Sequence, residues 1–522
     1  MSHSNCHCCP HSNHENQTAK SKSDWDLTRR NFLATMTAGG ALLSNVSWSI
    51  LAAENENDFS LMPSARKPLV VLPILVYDIP QRQPMVSWRG WGGIDSKESA
   101  AEEVDRITKE LDGICATADF PVEFLPILSV NHVNQAKDHP AVAQADAIIV
   151  YGAGGGVDGV QHFGKDVIIF QRWKSGPVYL QYEIVSPRLL RQHTDSLKLD
   201  NIRFDDVVTD SLDELTWRLR SLCGLKNTKN TRILAVGGAD AWAQPAESQK
   251  ILFDNLKNQW NLDIQTVDYD KLGKLLADAQ QDQKILQWAK QKTENYLKIP
   301  NTKLDTEKEF VVNCFILDYI FRHLMKEADC KAITILGCMT TIIPQAKTTA
   351  CLTLSLLNDD GYLAFCESDF AVIPSGILLA NICGHPVFLN DPTYPHDQIV
   401  TLAHCTAPRK LDGKNYEPAQ IVTHFESDYG AAPKVDFKLN ETATCILPDF
   451  HSVRWAGFRS KTVDNPFKPI CRSQIDVQYT ISDSIIAERM PGFHWMFGYG
   501  DYMKEIGYAL RRVGIQWDNL EE

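Results

Sequence analysis

Residues 69–77 read LVVLPILVY, a run without a charged position. Such a run has no polar face to offer water. It predicts a strand covered on both sides, as in a parallel sheet flanked by helices. ADAIIVYGAGGG (145–156), DVIIFQ (166–171), TRILAVGGADAWA (231–243) and KAITILGC (331–338) repeat the texture. Helical periodicity occupies residues 97–118, 270–293 and 308–327. Strands alternating with helices predict layered, parallel α/β structure. The polar stretch CGLKNTKNT (223–231) marks a boundary, giving one α/β domain over 69–228 and a second over 229–355. After residue 385 the runs shorten, as in DQIVTLAHC and AQIVTHFES, and Pro, Gly, Asp and Asn turns separate them. That texture predicts a β-rich C-terminal domain over 356–522.

A chain of 522 residues exceeds what one hydrophobic core holds, which agrees with several domains. With a formal charge of −13 it lacks the basic face that nucleic acid binding needs. Nothing after residue 53 offers the ~20 apolar residues of a membrane span. The N-terminus reads as a targeting segment. TRRNFL (28–33) resembles the twin-arginine export motif, and the apolar stretch LATMTAGGALLSNVSWSILAA ends in the small residues Ala52 and Ala53. Residues 1–53 are therefore expected to be a signal peptide that sends a folded protein to the periplasm, with 54–68 a linker. Upstream, Cys6, Cys8 and Cys9 among histidines match no zinc module and read as a disordered leader. Most of the fourteen cysteines sit in apolar runs and are expected to be reduced core residues.

The chemistry concentrates in CLTLSLLNDDGYLAFCESDF (351–370). Its apolar run ends, as a buried strand would, in Glu367 and Asp369. Strand ends are where open α/β folds place their sites, and buried carboxylates are costly unless something positive meets them. His404 in LAHCTAP, His424 in VTHFESDYG and His494 in PGFHWMFGYGDY are the available imidazoles, the last read as lying just before the final helix. Each alone has an ordinary explanation as a hydrogen-bonded core or surface residue. Together with the acid pair they predict a site for Mn²⁺, Fe²⁺, Co²⁺ or Mg²⁺. The Gly-rich turns GAGGG (152–156) and GGAD (237–240) do not complete a dinucleotide fingerprint and read as tight turns. Trp88 and Arg89 in SWRGWGG suit a sugar ring and its hydroxyls, or simply anchor a loop. RWKSGPVYLQYE (172–183) is a weaker candidate of the same kind.

At these residues the chain resembles the L-fucose/L-arabinose isomerase superfamily. LAFCESDFAVIPSGILLANICGHPVFLN (363–390), LAHCTAP and FHWMFGYGD occur in that family's order, and the resemblance covers about residues 69–515. It implies an α/β fold of two Rossmann-like parallel-sheet domains followed by the β-rich C-terminal domain. It implies aldose–ketose isomerisation through an enediol with Mn²⁺, a small sugar as substrate and a homo-oligomer. By carry-over Asp369 is metal ligand and proton shuttle, and His494 a metal ligand. Glu367 joins them in both roles, with His404, His424, Gln345, Trp88 and Arg89 around the substrate. One departure matters. The family's second carboxylate, some 24–28 residues before its Asp, has no counterpart here, since no acid occurs from Cys338 to Asn358. Either Glu367 substitutes, or Gln345 is a neutral ligand and the base is lost. A non-catalytic sugar-binding or regulatory protein and a polyol or sugar epimerase are the alternatives.

Overall fold

The computed structural model describes residues 61–157, 159–180 and 202–522. The twin-arginine segment, the Cys6–Cys9 tract, residues 54–60 of the linker and residues 181–183 lie outside the described residues. The chain divides into two compact units, one Arg66–Lys226 and the other centred on Asn227–Glu522.

In the first unit the apolar runs become a parallel sheet. Its strands are β1 (Leu69–Val76), β2 (Val122–Phe124), β3 (Leu128–Val130), β4 (Ala147–Gly152), β5 (Asp166–Gln171) and β6 (Val207–Thr209). The order is β2-β1-β4-β5-β6, with β3 also pairing with β1. Leu72, Ile74, Val76, Ile148, Val150 and Ile169 are fully buried, which is why these strands read as unbroken apolar runs. The helix Lys97–Thr117 starts at Ser96, whose side chain and that of Ser99 satisfy each other's backbone N–H groups.

The second unit opens with another parallel sheet. Its strands are β7 (Arg232–Val236) and β8 (Asp263–Val267), then, beyond a small strand β9 (Thr302–Asp305), β10 (Ala332–Ile335) and β11 (Leu363–Cys366). The order is β11-β10-β7-β8. The apolar run at 351–366 is not one strand. Cys351–Asp359 is a buried helix, and Gly361, at φ +87°, turns the chain into β11. Nothing in an apolar run of this kind separates buried helix from buried strand; only the Asn-Asp-Asp-Gly turn inside it does.

The remainder contains β12 (Phe388–Pro392), β13 (Ile399–His404), β14 (Ala419–Val422), β15 (Ala432–Val435), β16 (Thr442–Pro448), β17 (Arg454–Asp464), β18 (Ser473–Gln478), β19 (Trp495–Tyr499) and β20 (Gln516–Asn519). β16-β19-β12-β13-β18-β17 run antiparallel, and β17 pairs back to β16. The β-rich region is thus a closed antiparallel barrel, filled by Phe458, Ile475, Val477, Trp495 and Phe497. Closure leaves no bare edge among the barrel strands. β14 pairs with β15 and β9 in a separate small sheet. No described helix is long and apolar enough to cross a membrane.

Candidate metal and acid–base site

The site is built where β11 stops. Glu367 and Ser368 both take the left-handed conformation, at φ 66° and 49°, which costs non-glycine residues on the order of 1–3 kcal/mol each. Their surroundings hold them there. The Ser368 N–H donates to Thr334 Oγ1 at 3.1 Å, and its hydroxyl donates to the Gly238 carbonyl at 3.0 Å. The Phe370 N–H donates to the Asp240 carbonyl at 3.1 Å. The kink throws Glu367 off the strand line before the buried helix Ile373–Cys383 begins. Gly376 lets that helix press on the barrel and sheet, for a Cβ there would lie 2.4 Å from Phe365 and 2.6 Å from Met496.

Asp369 and His494, 125 positions apart, are in contact: His494 Nδ1 lies 2.6 Å from Asp369 Oδ2. Asp369 Oδ1 accepts from the backbone N–H groups of Ala371 at 3.1 Å and Trp242 at 3.2 Å. This carboxylate is fully engaged in aiming one imidazole. His494 Nε2 then faces Asp391 Oδ1 at 3.1 Å and Glu367 Oε2 at 3.4 Å. The other Glu367 oxygen, Oε1, faces His404 Nε2 at 3.7 Å, too far for a hydrogen bond. Thr406 Oγ1 sits 3.1 Å from His404 Nδ1 and orients that ring. The Trp242 ring stacks on Phe493 at 4.3 Å and meets His494 edge-on, closing the far side.

Burial works against charge on each member, and the neighbours reverse it. Burial pulls His494 down, but Asp369, Asp391 and Glu367 hold it well above the ordinary imidazole value. Burial raises Glu367, yet His404 and His494 bring it below the usual carboxylate value. Burial lowers His404, while Glu367 and Asp391 bring it above normal. Groups with opposed shifts in one pocket are the pattern of acid–base sites.

Glu367 and His404 border a cavity of about 150 Å³, together with Asp240, Trp242, His424, Glu426 and five cysteines, Cys338, Cys351, Cys366, Cys405 and Cys471. The described cysteines carry no disulfide, and all but Cys115 are buried. Cys338 lies beside Cys366 and, together with burial, pushes the Cys366 thiol well above its ordinary value, and Cys405 lies beside Cys351, Cys471 and His424.

The other sequence candidates fall differently. His424 follows β14 and lines the cavity beside Cys405. Gln345 does not line it; its side chain lies against Gly273, and its carbonyl accepts from Gln280 at 3.5 Å. His494 precedes β19, not the last helix, Met503–Arg512. Trp88 and Arg89 belong to the first unit, where Arg89 lies over the Trp88 ring at 5.0 Å and 3.6 Å from Asp95. Arg172 is sealed in the same unit by Glu103 at 2.5 Å and Glu110 at 2.6 Å, a structural network. Sequence reading missed Asp391, Cys366 and Trp242. Asp391 had a signal of the type used for Glu367, an acid closing the apolar run PVFLN.

Among the described residues, one group has the separations of a metal site. The ligand atoms of Cys366, Glu367 and His404 lie within 4.8 Å of one another. Ligands ~2.0–2.3 Å from a shared ion stand up to ~4.5 Å apart, so little movement would close the trio. Glu367 Oε2 and His404 Nε2 are buried without a hydrogen bond, the state in which donors for an ion are left. No protein-family model matches the chain, and no curated protein matches it.

Proposed function

We propose that this chain is a metal-dependent enzyme that interconverts an aldose and its ketose through an enediol. The observation that carries the reading is Glu367, whose two oxygens face different partners, His404 on one side and the Asp369-aimed His494 on the other. Glu367 and His404 would hold a divalent ion, which would supply Lewis acidity to a bound sugar, and Mn²⁺ is the ion that the isomerase resemblance implies. Glu367, at the cavity wall, carries the proton between C1 and C2, where a positioned base contributes ~10²–10⁴-fold. His494 keeps Glu367 ionised before proton uptake. Asp369, whose oxygens are already occupied, acts as a positioning residue; this departs from the role that carry-over assigns it. Asp391 supplies a second carboxylate near the site, 3.1 Å from His494, in a chain that lacks one upstream.

In this reading the two parallel sheets are Rossmann-like layers, the protein is exported by the twin-arginine route to the periplasm, and copies associate as the superfamily's do. One observation favours a non-catalytic sugar-binding protein instead: the acid-free stretch Cys338–Asn358 where the superfamily keeps its partner carboxylate. The deciding experiment incubates the purified protein with Mn²⁺, Co²⁺ or Zn²⁺ in turn and with pentoses, 6-deoxyhexoses and their ketoses in D₂O. Deuterium entry at C1 or C2, lost in Glu367→Gln, supports the enzyme. Sugar binding without exchange in any pair supports the binding protein.

A further inference from the structure

Cys366 is the last residue of β11, and its thiol is aimed at the same point as Glu367 and His404, its ligand atom within 4.8 Å of theirs. A buried cysteine is ordinarily a small apolar residue, packed among apolar neighbours. Cys366 is packed in the apolar core in this way, and it also borders a cavity, beside a carboxylate and an imidazole that make no hydrogen bond to one another. The left-handed turn at Glu367 is what brings consecutive residues to bear on one spot; an extended strand would send them to opposite faces. One outer contact is also in place. Thr406 holds His404 by Nδ1 at 3.1 Å, leaving Nε2 toward the trio. Such partners orient ligands in metal centres.

We infer that Cys366 is a thiolate ligand, so that the centre is a Cys–Glu–His site for a thiophilic divalent ion, Zn²⁺ or Co²⁺, with a position left open toward the cavity. A sulfur, nitrogen and oxygen set with three protein ligands is the pattern of zinc sites that bind a further ligand, and it disfavours Mn²⁺, which prefers oxygen-rich shells. The inference rests on the pocket being a metal centre, as proposed above, and changes the ion expected there.

The test is Co²⁺ loading of the full chain, read by absorption. Sulfur-to-cobalt charge transfer in the near ultraviolet is expected, with Co²⁺ and Zn²⁺ retained through desalting and Mn²⁺ lost. Cys366→Ser removes the band and weakens Co²⁺ binding at least about tenfold. Cys405→Ser, on the same cavity but outside the trio, keeps the band. The wild-type chain gives an independent readout: Zn²⁺ protects Cys366 from alkylation and leaves Cys405 as reactive as before. Co²⁺ bound without the band, or a band lost in Cys405→Ser and kept in Cys366→Ser, overturns the thiolate ligand and leaves the metal-enzyme reading standing. A chain that binds none of the three ions overturns both.

Discussion

At the scale of single residues, the cluster separates two jobs that a list of acids and histidines cannot. Asp369 spends one oxygen on His494 and the other on two backbone N–H groups. Glu367 has an oxygen with no hydrogen bond and a place on the cavity wall. Asp369→Asn should therefore leave an ion bound but misaim His494. Metal affinity, measured by chelator competition, should change less than about tenfold, whereas Glu367→Gln should cost 10–100-fold or more. Equal losses from the two would remove the distinction. Cys366 was visible in the sequence as one of many buried thiols. Its approach to Glu367 and His404 was not, because it depends on two successive left-handed residues, and Glu and Ser carry no mark of that conformation.

At the scale of elements, the site depends on how tightly the helix Ile373–Cys383 docks. All its residues are buried, so its sequence is apolar all round and has no polar face to show which way it points. Gly376 sets the approach, facing the Phe365 ring of β11 and Met496 of β19. Gly376→Ala should push the helix off both, costing roughly 1–3 kcal/mol in urea denaturation. A loss near zero would mean that Met496, a flexible side chain, yields without consequence. The strands β1, β4, β5, β7 and β10 were legible because burial on both faces makes an apolar run unambiguous. The barrel was legible only as β-rich. Its closure lies in the β16–β17 pairing, and a strand's sequence does not name its neighbour.

At the scale of the molecule, Glu417 ties the small sheet to the barrel. Its backbone carbonyl accepts from Arg409, and its carboxyl takes a hydrogen bond from Tyr499 of β19 at 2.8 Å. Burial pushes this carboxyl up from 4.5 to about 7, against the hydrogen bond from Tyr499. The folded protein therefore holds this proton more firmly than the unfolded chain. The stabilisation is complete below the unfolded value and is lost as pH rises toward 7, a span of roughly 3 kcal/mol. Glu417→Gln should flatten the stability profile between those limits, read by denaturant midpoints across pH. An unchanged slope would refute it. By itself, the sequence determined that the chain is layered α/β with buried parallel strands, that its C-terminal region is β-rich, and that its acids and histidines stand at strand ends. Those features follow from local solvation and short-range backbone preference. Only the tertiary structure decided which of them meet. His494 reaches Asp369 across 125 positions, Asp391 and Cys366 join the cluster, and Gln345 stays out, because burial makes a charged group answer to the side chains folding brings beside it and not to those beside it in the chain.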